Sequence, residues 1–377
     1  MSGGGPYATQ SVKFYFQTRA TTKLHSELGM PNVVTLDSLK QMMGEKDLWP
    51  LNDVWGEHDF TLTGAQGART WLDMIAKNYG GANNIEDFVE LSQFIDYDGY
   101  RAMFEAQGKN RMGLLLWMSH SCWPSFVWQT YDYYFDQSGG YFGSKKGNEP
   151  LHVQWNPITD NVEVVNYSAG NVAGLTANIE ILNMDGSKKW EKSATLDSKE
   201  DSVETPIKIE YPSGLTLVHF LRLKLMRGAA VVSDNFYLRG LEETQPAPTA
   251  GRGGGGGFGG APSTLGYNLT AIRQLPKVKV EASTTTEQKG GRWFLTTDLH
   301  NASSAPALMV RVKAVRSTSG DRILPAIYSD NYVALMPGEK RTIKTELENA
   351  DTRGERPRVI IEGFNVEKPA AKPAPAE

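Results

Sequence analysis

The stretch TKLHSELGMPNVV, residues 22–34, ends a short alternating run on Ser26-Glu27 and then turns through Gly29 and Pro31. Alternation of Thr22, Leu24 and Ser26 with Lys23, His25 and Glu27 predicts a strand, and the glycine and proline predict its end. A carboxylate at the C-terminal end of a strand stands where α/β barrels build catalytic groups. The same pattern also fits a solvated turn acid, and the local residues leave both open. Other chemistries are easier to exclude. The single Cys122 cannot form an internal disulfide or a cysteine metal site, and the six histidines include no His-x-x-x-His pair, so neither a metal nor a cofactor is expected. Ser119-His120-Ser121 lacks a Gly-x-Ser-x-Gly elbow and offers no serine-hydrolase geometry.

The chain has 377 residues, 40% hydrophobic content and net charge −4, the profile of a multidomain globular protein. It lacks the basic excess that phosphate binding needs, and no apolar run is long enough to span a bilayer, so neither nucleic acid nor membrane is an expected partner. The start, MSGGGPYATQ, has neither the basic nor the apolar part of a secretory leader; the compartment stays open. Nine tryptophans and fifteen tyrosines, with Trp55, Trp71, Trp117, Trp123 and Trp128 in the early part, suit either an aromatic core or faces that stack on sugar rings.

Residues 1–148 mix helix and strand signals. IEDFVELSQFIDYDGYRAMFEAQG (85–108) spaces Ile85, Phe88, Leu91, Ile95, Met103 and Phe104 for an amphipathic helix. RMGLLLWMS (111–119) has the unbroken apolar texture of a strand covered on both faces, and strand, helix, buried strand is α/β logic. Residues 149–241 become β-rich with turn signals such as Asp185-Gly186, which predicts an immunoglobulin-like sandwich. A Pro/Gly-rich stretch, 242–264, is expected to be a linker. Residues 265–367 repeat the β-rich texture as a second sandwich, and the Pro/Ala-rich 368–377 is expected to be disordered. SDNFYL (233–238) in the first sandwich is echoed by SDNYVAL (329–335) in the second.

Three segments, TTKLHSELGMPNVVTLDSLKQMM, WPLNDVWGEHDF and RMGLLLWMSHSCWPSFVWQTYDYYFDQSGGYFGSKKGNEPLHVQWNP, together with VVSDNFYLRG and YSDNYVALMPGE, resemble glycoside hydrolase family 2. The resemblance points to the exo-β-D-glucosaminidase and mannosylglycoprotein endo-β-mannosidase subgroup and covers nearly the whole chain. It implies a fold of α/β plus all-β type, the distal part of a (β/α)8 TIM barrel followed by two immunoglobulin-like sandwiches. It implies a retaining glycosidase acting on β-linked oligosaccharide or glycoside, glucosaminide or mannoside favoured, in which two carboxylates cooperate. The family's nucleophile is the Glu of a Ser-Glu pair ending the seventh barrel strand, which corresponds to Glu27. Trp117, closing the eighth strand, corresponds to the aromatic that stacks on the sugar. Trp55, Glu57, His58 and Asp59 between those strands, and Trp123, Trp128 and Asp132 after them, are expected along the substrate rim, with Glu57 or Asp59 suited to an amino sugar's ammonium.

The family's proton donor is the Glu of an Asn-Glu pair ending the fourth barrel strand. No glutamate precedes Glu27 here, and Asn148-Glu149 falls after the last barrel strand. The expectation is therefore a C-terminal portion with six barrel strands and the acid supplied by an N-terminal half, from the same gene or a split one. Residues 1–148 are then expected to be unstable alone, because two strands leave unpaired edges and apolar surface, while each sandwich folds by itself. A non-catalytic reading, a carbohydrate-binding or assembly module built on the sandwiches, is the alternative from a different class.

Overall fold

A computed structural model describes residues 9–19, 23–61, 68–107, 112–245 and 266–368. The first part alternates helix and strand: α1 (Val12–Arg19), β1 (Leu24–Leu28), α2 (Leu36–Met42), α3 (Asp53–Glu57), α4 (Ala68–Tyr79), α5 (Ile85–Glu105), β2 (Gly113–Leu116) and α6 (Gly139–Gly147). Helix α5 begins where the Asn84 side chain accepts a hydrogen bond from the Asp87 amide at 2.9 Å, with Glu86 and Asp87 placed favourably for the helix dipole. Its expected apolar stripe is buried, but so are Gln93, Asp96, Arg101 and Glu105, so the helix is enclosed on nearly all sides. Helix α6 lies directly on it. A Cβ at Gly139, Gly143 or Gly147 would meet the carbonyl oxygens of Gln93, Tyr97 and Arg101 at 2.4, 2.2 and 2.8 Å. Three glycines four residues apart thus present bare backbone to an equally spaced row on α5, which permits this close approach.

Strands β1 and β2 pair in parallel, Leu24 opposite Gly113, His25 opposite Leu114 and Leu28 opposite Leu116. The double burial expected for β2 is not met. Leu115 is 61% and Met112 73% exposed, because among the described residues β2 pairs with β1 alone and nothing covers its outer side.

The chain divides into two compact units, Met1–Gln274 and Leu275–Glu377. The first unit holds the helical part and an antiparallel sandwich of β3 (Leu151–Asn156), β4 (Asn161–Asn166), β5 (Val172–Asn183), β6 (Lys188–Ser198), β7 (Ser202–Lys208), β8 (Val218–Arg227) and β9 (Ala230–Gly240). Its sheets run β3-β4-β7 and β6-β5-β8-β9, and Val153, Trp155, Val164, Ile179, Leu221 and Leu223 fill the space between them. The predicted Asp185-Gly186 turn closes β5 onto β6, with Gly186 at φ 85° and its amide bonded to the Asn183 carbonyl.

This sandwich is joined to α5 by buried charge. Arg101 donates to the Asn235 side chain (2.8 Å), to the Phe236 carbonyl (2.7 Å) and to Asp98 (2.6 Å). Glu105 accepts from His152 (3.0 Å), Asn235 (2.8 Å) and the Tyr237 hydroxyl (2.8 Å). Glu149 accepts from the other His152 nitrogen and from Ser233, and it also pairs with Lys146. Asn148-Glu149 is accordingly part of a structural joint. The expectation of a freely folding first sandwich is revised on the same ground: Glu105 and Arg101 are almost wholly buried, and their partners sit on the sandwich.

Beyond β9, β10 (Glu243–Thr244) and β11 (Gly266–Tyr267) pair antiparallel, and Arg273 bonds Asp87 at 2.6 Å. Residues 266–274, which the sequence grouped with the second sandwich, therefore belong to the first unit. Of the expected linker 242–264, Glu243–Thr244 is paired as β10, and residues 246–264 lie outside the described residues, as do residues 369–377 of the expected tail. The second unit comprises β12 (Val280–Lys289), β13 (Arg292–Asn301), β14 (Ala307–Arg316), β15 (Ala326–Tyr328), β16 (Val333–Leu335), β17 (Lys340–Glu348) and β18 (Pro357–Glu362). They form sheets β12-β13-β17-β15 and β16-β14-β18. Gly290 and Gly291, both at positive φ, make the two-residue turn between β12 and β13.

Candidate active site

Glu27 is half-buried near the end of β1, and the strand continues one residue beyond it, to the wholly buried Leu28. Gly29 follows for a steric reason. A Cβ there would sit 2.2 Å from the Trp117 carbonyl oxygen and 3.0 Å from the Trp128 Cβ. The Trp117 amide donates to the Leu28 carbonyl (3.0 Å) and the Met118 amide to the Trp128 carbonyl (2.6 Å). The ends of β1 and β2 and the segment around Trp128 thus meet, with Trp117 46% exposed and Trp128 half-buried. The peptide between Trp117 and Met118 is cis.

The WGEHDF residues separate. Asn52 caps α3, and Asp59 leaves it in the left-handed region at φ 69°, while the Asp59 and Phe60 amides close back on Gly56 and Trp55. Trp55 is corrected from rim to core. It is 1% exposed, stacked on Phe126 at 4.9 Å and 6°, edge-on to Phe88, and its indole donates to the Asp47 carbonyl. A turn that puts His58 and Asp59 outward must put Trp55 inward, where an aromatic cluster already exists. Glu57 is exposed. His58 is half-buried, its Nδ1 2.7 Å from the Pro124 carbonyl and its ring stacked on Trp123 at 5.8 Å. Trp123 is 41% exposed. Burial raises the Asp59 carboxyl pKa above its ordinary value, and the neighbouring His58 pulls it the other way.

Asp132 is likewise corrected. It is buried, and its carboxylate accepts the amides of Tyr134 (2.9 Å) and Asp136 (3.0 Å), a local turn that fixes the loop rather than a group facing solvent. That turn presents residues that sequence reasoning passed over. His120 stacks on Phe135 at 4.7 Å and 14° and on Tyr133 at 6.5 Å and 16°, and both Phe135 and Tyr133 are exposed. With Trp117 and Trp123 they make four exposed aromatics within nineteen residues after β2, counted from 117 to 135. The repeated aromatics in YDYYF (131–135) were the signal, but sequence alone does not tell an outward ring from an inward one.

Among the described residues no cluster of three His, Cys, Asp or Glu could hold a metal, and no helix is long and apolar enough to cross a membrane. A cavity of about 60 Å³ between α1, α4, α5 and the first sandwich, lined by Lys13, Arg101, Trp155 and Tyr267, has room for a few waters and does not include Glu27.

Comparison with known proteins agrees with this architecture. Residues 261–366 match the family model described as the exo-β-D-glucosaminidase Ig-fold domain. The chain is 33% identical to the exo-β-D-glucosaminidase of Streptomyces avermitilis over 96% of its own length and 42% of that protein. It is 27% identical to the mannosylglycoprotein endo-β-mannosidase of Lilium longiflorum over 83% of its length and 37% of that protein. The crystal structure of Amycolatopsis orientalis exo-chitosanase CsxA superposes with a TM-score of 0.84 at 29% identity, covering 97% of this chain and 45% of that one. The chain thus spans less than half the length of these relatives, which are glycoside hydrolases. The chain is a homologue of exo-β-D-glucosaminidases and mannosylglycoprotein endo-β-mannosidases, relatives of the glycoside hydrolase family 2 type.

Proposed function

We propose that this chain supplies the nucleophile half of a retaining exo-β-glycosidase acting on terminal β-linked glucosaminide or mannoside, and that Glu27 is the nucleophile. In this reading β1 and β2 are the seventh and eighth strands of a (β/α)8 barrel. The other strands and the proton donor come from a polypeptide segment outside these 377 residues, in the same chain or another. The parallel pairing of β1 with β2, the uncovered outer side of β2 at Leu115 and the exposed Met112 support it.

The Glu27 carboxylate attacks the anomeric carbon, and the leaving oxygen departs with the proton of a second carboxylic acid about 5–5.5 Å away. Water deprotonated by that same carboxylate then cleaves the glycosyl ester, releasing the sugar with its β configuration and returning Glu27 ionised. Trp117, exposed and in register beside the end of β1, offers its face to the C–H side of the ring. Trp123 on His58, and the rings of Tyr133 and Phe135, extend that apolar surface, with Glu57 and Asp59 available to an ammonium group. Trp128 backs Gly29.

The observation that carries the reading is the contact of Gly29 with the Trp117 carbonyl, which brings Glu27 and the exposed indole to one strand end in a chain 33% identical to an exo-β-D-glucosaminidase. The test combines this chain with a barrel-completing segment and follows 4-nitrophenyl β-D-glucosaminide and β-D-mannoside. Glu27→Gln is expected to lower turnover at least about a thousandfold. Turnover untouched by that substitution rejects the nucleophile. Sugar affinity of the full 377-residue chain that needs no barrel-completing segment and is untouched by Glu27→Gln would favour the non-catalytic module instead.

A further inference from the structure

We propose that Gln93, on α5, is a positioning residue for Glu27; the assignment rests on reading Glu27 as the nucleophile. The chain leaving β1 is buried from Leu28 to Thr35 and cannot drift into solvent. Gln93 reaches it with one amide group used at both ends. Nε2 donates to the Val33 carbonyl at 2.9 Å, and Oε1 accepts from the Gly139 amide, at the first residue of α6, also at 2.9 Å. Two turns further along α5 the Tyr100 hydroxyl donates to the Met30 carbonyl at 2.9 Å. From the other side the Asn32 amide donates to the Phe126 carbonyl (3.0 Å) and its side chain to the Ser138 hydroxyl (2.7 Å).

At Val33 the backbone is tied to α5. At Gly99 a Cβ would lie 2.5 Å from the Met30 sulfur, so helix and segment are already in contact. At Gly29 the backbone is pressed against Trp117. A shift at Val33 would bear on the buried residues that lead back to Glu27 and Leu28. The far end of α5 does not yield either, since Arg101 and Glu105 fix it to the first sandwich. Gln93 links the exit of β1 to both α5 and α6, and losing it leaves the Val33 carbonyl buried without that donor.

Two variants separate positioning from folding. Gln93→Leu keeps the volume and removes both bonds; Gln93→Glu keeps an acceptor for Gly139 but loses the donor to Val33. In hydrogen–deuterium exchange on this chain, amides 28–30 and 32–34 of Gln93→Leu are expected to exchange about tenfold faster, while β5 and β8 keep their rates. With the barrel-completing segment present, kcat on the aryl glucosaminide falls about 10- to 100-fold in both variants and KM stays within about twofold. Unchanged exchange across 28–34, or an unchanged kcat in a variant that does exchange faster, overturns the role of Gln93 and leaves Glu27 as assigned. A parent pairing that never turns over any β-glycoside removes the nucleophile reading, and the positioning role with it.

Discussion

The two sandwiches carry the same tripeptide, Ser-Asp-Asn, and use it differently. In the second unit Asn331 serves its own fold: its side chain donates to the Val312 carbonyl (2.9 Å) and accepts the Val312 amide (2.7 Å). Ser329 accepts the Lys344 amide, and Asp330 pairs with Arg341 in the same unit. In the first unit Asn235 retains the inner part of that role, donating to the Val153 carbonyl on the opposite sheet (3.2 Å). It also donates to Glu105 and accepts from Arg101, while Ser233 and Asp234 reach Glu149 and Lys146. One tripeptide closes a sandwich on itself; the other closes a sandwich and fastens a helix to it. The added partners bring charge into the interior, which is tolerated because each buried group meets others of opposite charge or matching polarity.

The sharpest way to break the comparison is Arg101→Leu. It leaves Asp98 and Glu105 facing a wall without their cation, and losing one member of a buried charged set costs about 3–5 kcal/mol. That loss should appear in the exchange-derived stability of the first unit and be absent from the second. Equal destabilisation of both units would mean that the joint is not local to α5 and the first sandwich. Next come the paired substitutions Asn235→Ala and Asn331→Ala. Each uncovers backbone groups of one valine, but only the former also deprives Glu105 and Arg101 of a partner. We expect about 3 kcal/mol for Asn235→Ala and about 2 kcal/mol for Asn331→Ala, each confined to its own unit. A reversed order would show that the Asn235 contacts to α5 add nothing beyond the inter-sheet clamp.

These contrasts also mark what the sequence made legible. Strand alternation and the Asp185-Gly186 turn announce both sandwiches, since period-two burial and a turn glycine are local properties. The apolar spacing over 85–105 announces α5, but not that Gln93, Arg101 and Glu105 would be buried with the rest. Their burial depends on partners 46 to 135 residues away, and no local window contains those. The α6 seam was present as three glycines four apart and could have been taken for a helix–helix contact. In the candidate site, Trp117 and Trp55 are the same residue type with opposite exposures. The difference arises from the Asn52 cap and the Asp59 reversal, which turn one face of a five-residue helix inward. Resemblance alone singles out Glu27 and Trp117 as candidates; what brings their strand ends together, the contact at Gly29, is visible only in three dimensions. Asp132, expected along the substrate rim, is buried instead, because its carboxylate satisfies its own turn.

The smallest expected effect removes a proton and no atoms. Burial alone would lower the His152 pKa, but hydrogen bonds and charges from Glu105 and Glu149 outweigh it and raise the pKa above its ordinary 6.5. The ring is faced from α5 by Glu105, with Arg101 beyond it, from the turn before β3 by Glu149 and its partner Lys146, and from β9 by Asn235 and Tyr237. Glu163 on β4 stands one step further, bonded to Gln154. A folded-state pKa raised in this way adds stability that is complete below pH 6.5 and fades as pH rises through the folded value. Glu149 has the opposite sign: burial would raise it, yet His152 and Lys146 hold it below its ordinary value, so its share is lost as pH falls through that lower value. Asp96 and Glu163, raised by burial, add further slope of the His152 kind. The discriminating quantity is therefore the difference between the parent chain and His152→Gln. Across pH 6 to 9 the parent's first unit should lose more stability than that of His152→Gln, while the second unit, whose Ser-Asp-Asn stretch faces no buried histidine, follows the same pH profile in both proteins. Identical profiles for the first unit in the two proteins would mean that the Glu105–His152–Glu149 array carries no proton that matters to folding, and the joint would then rest on Arg101 and Asn235 alone.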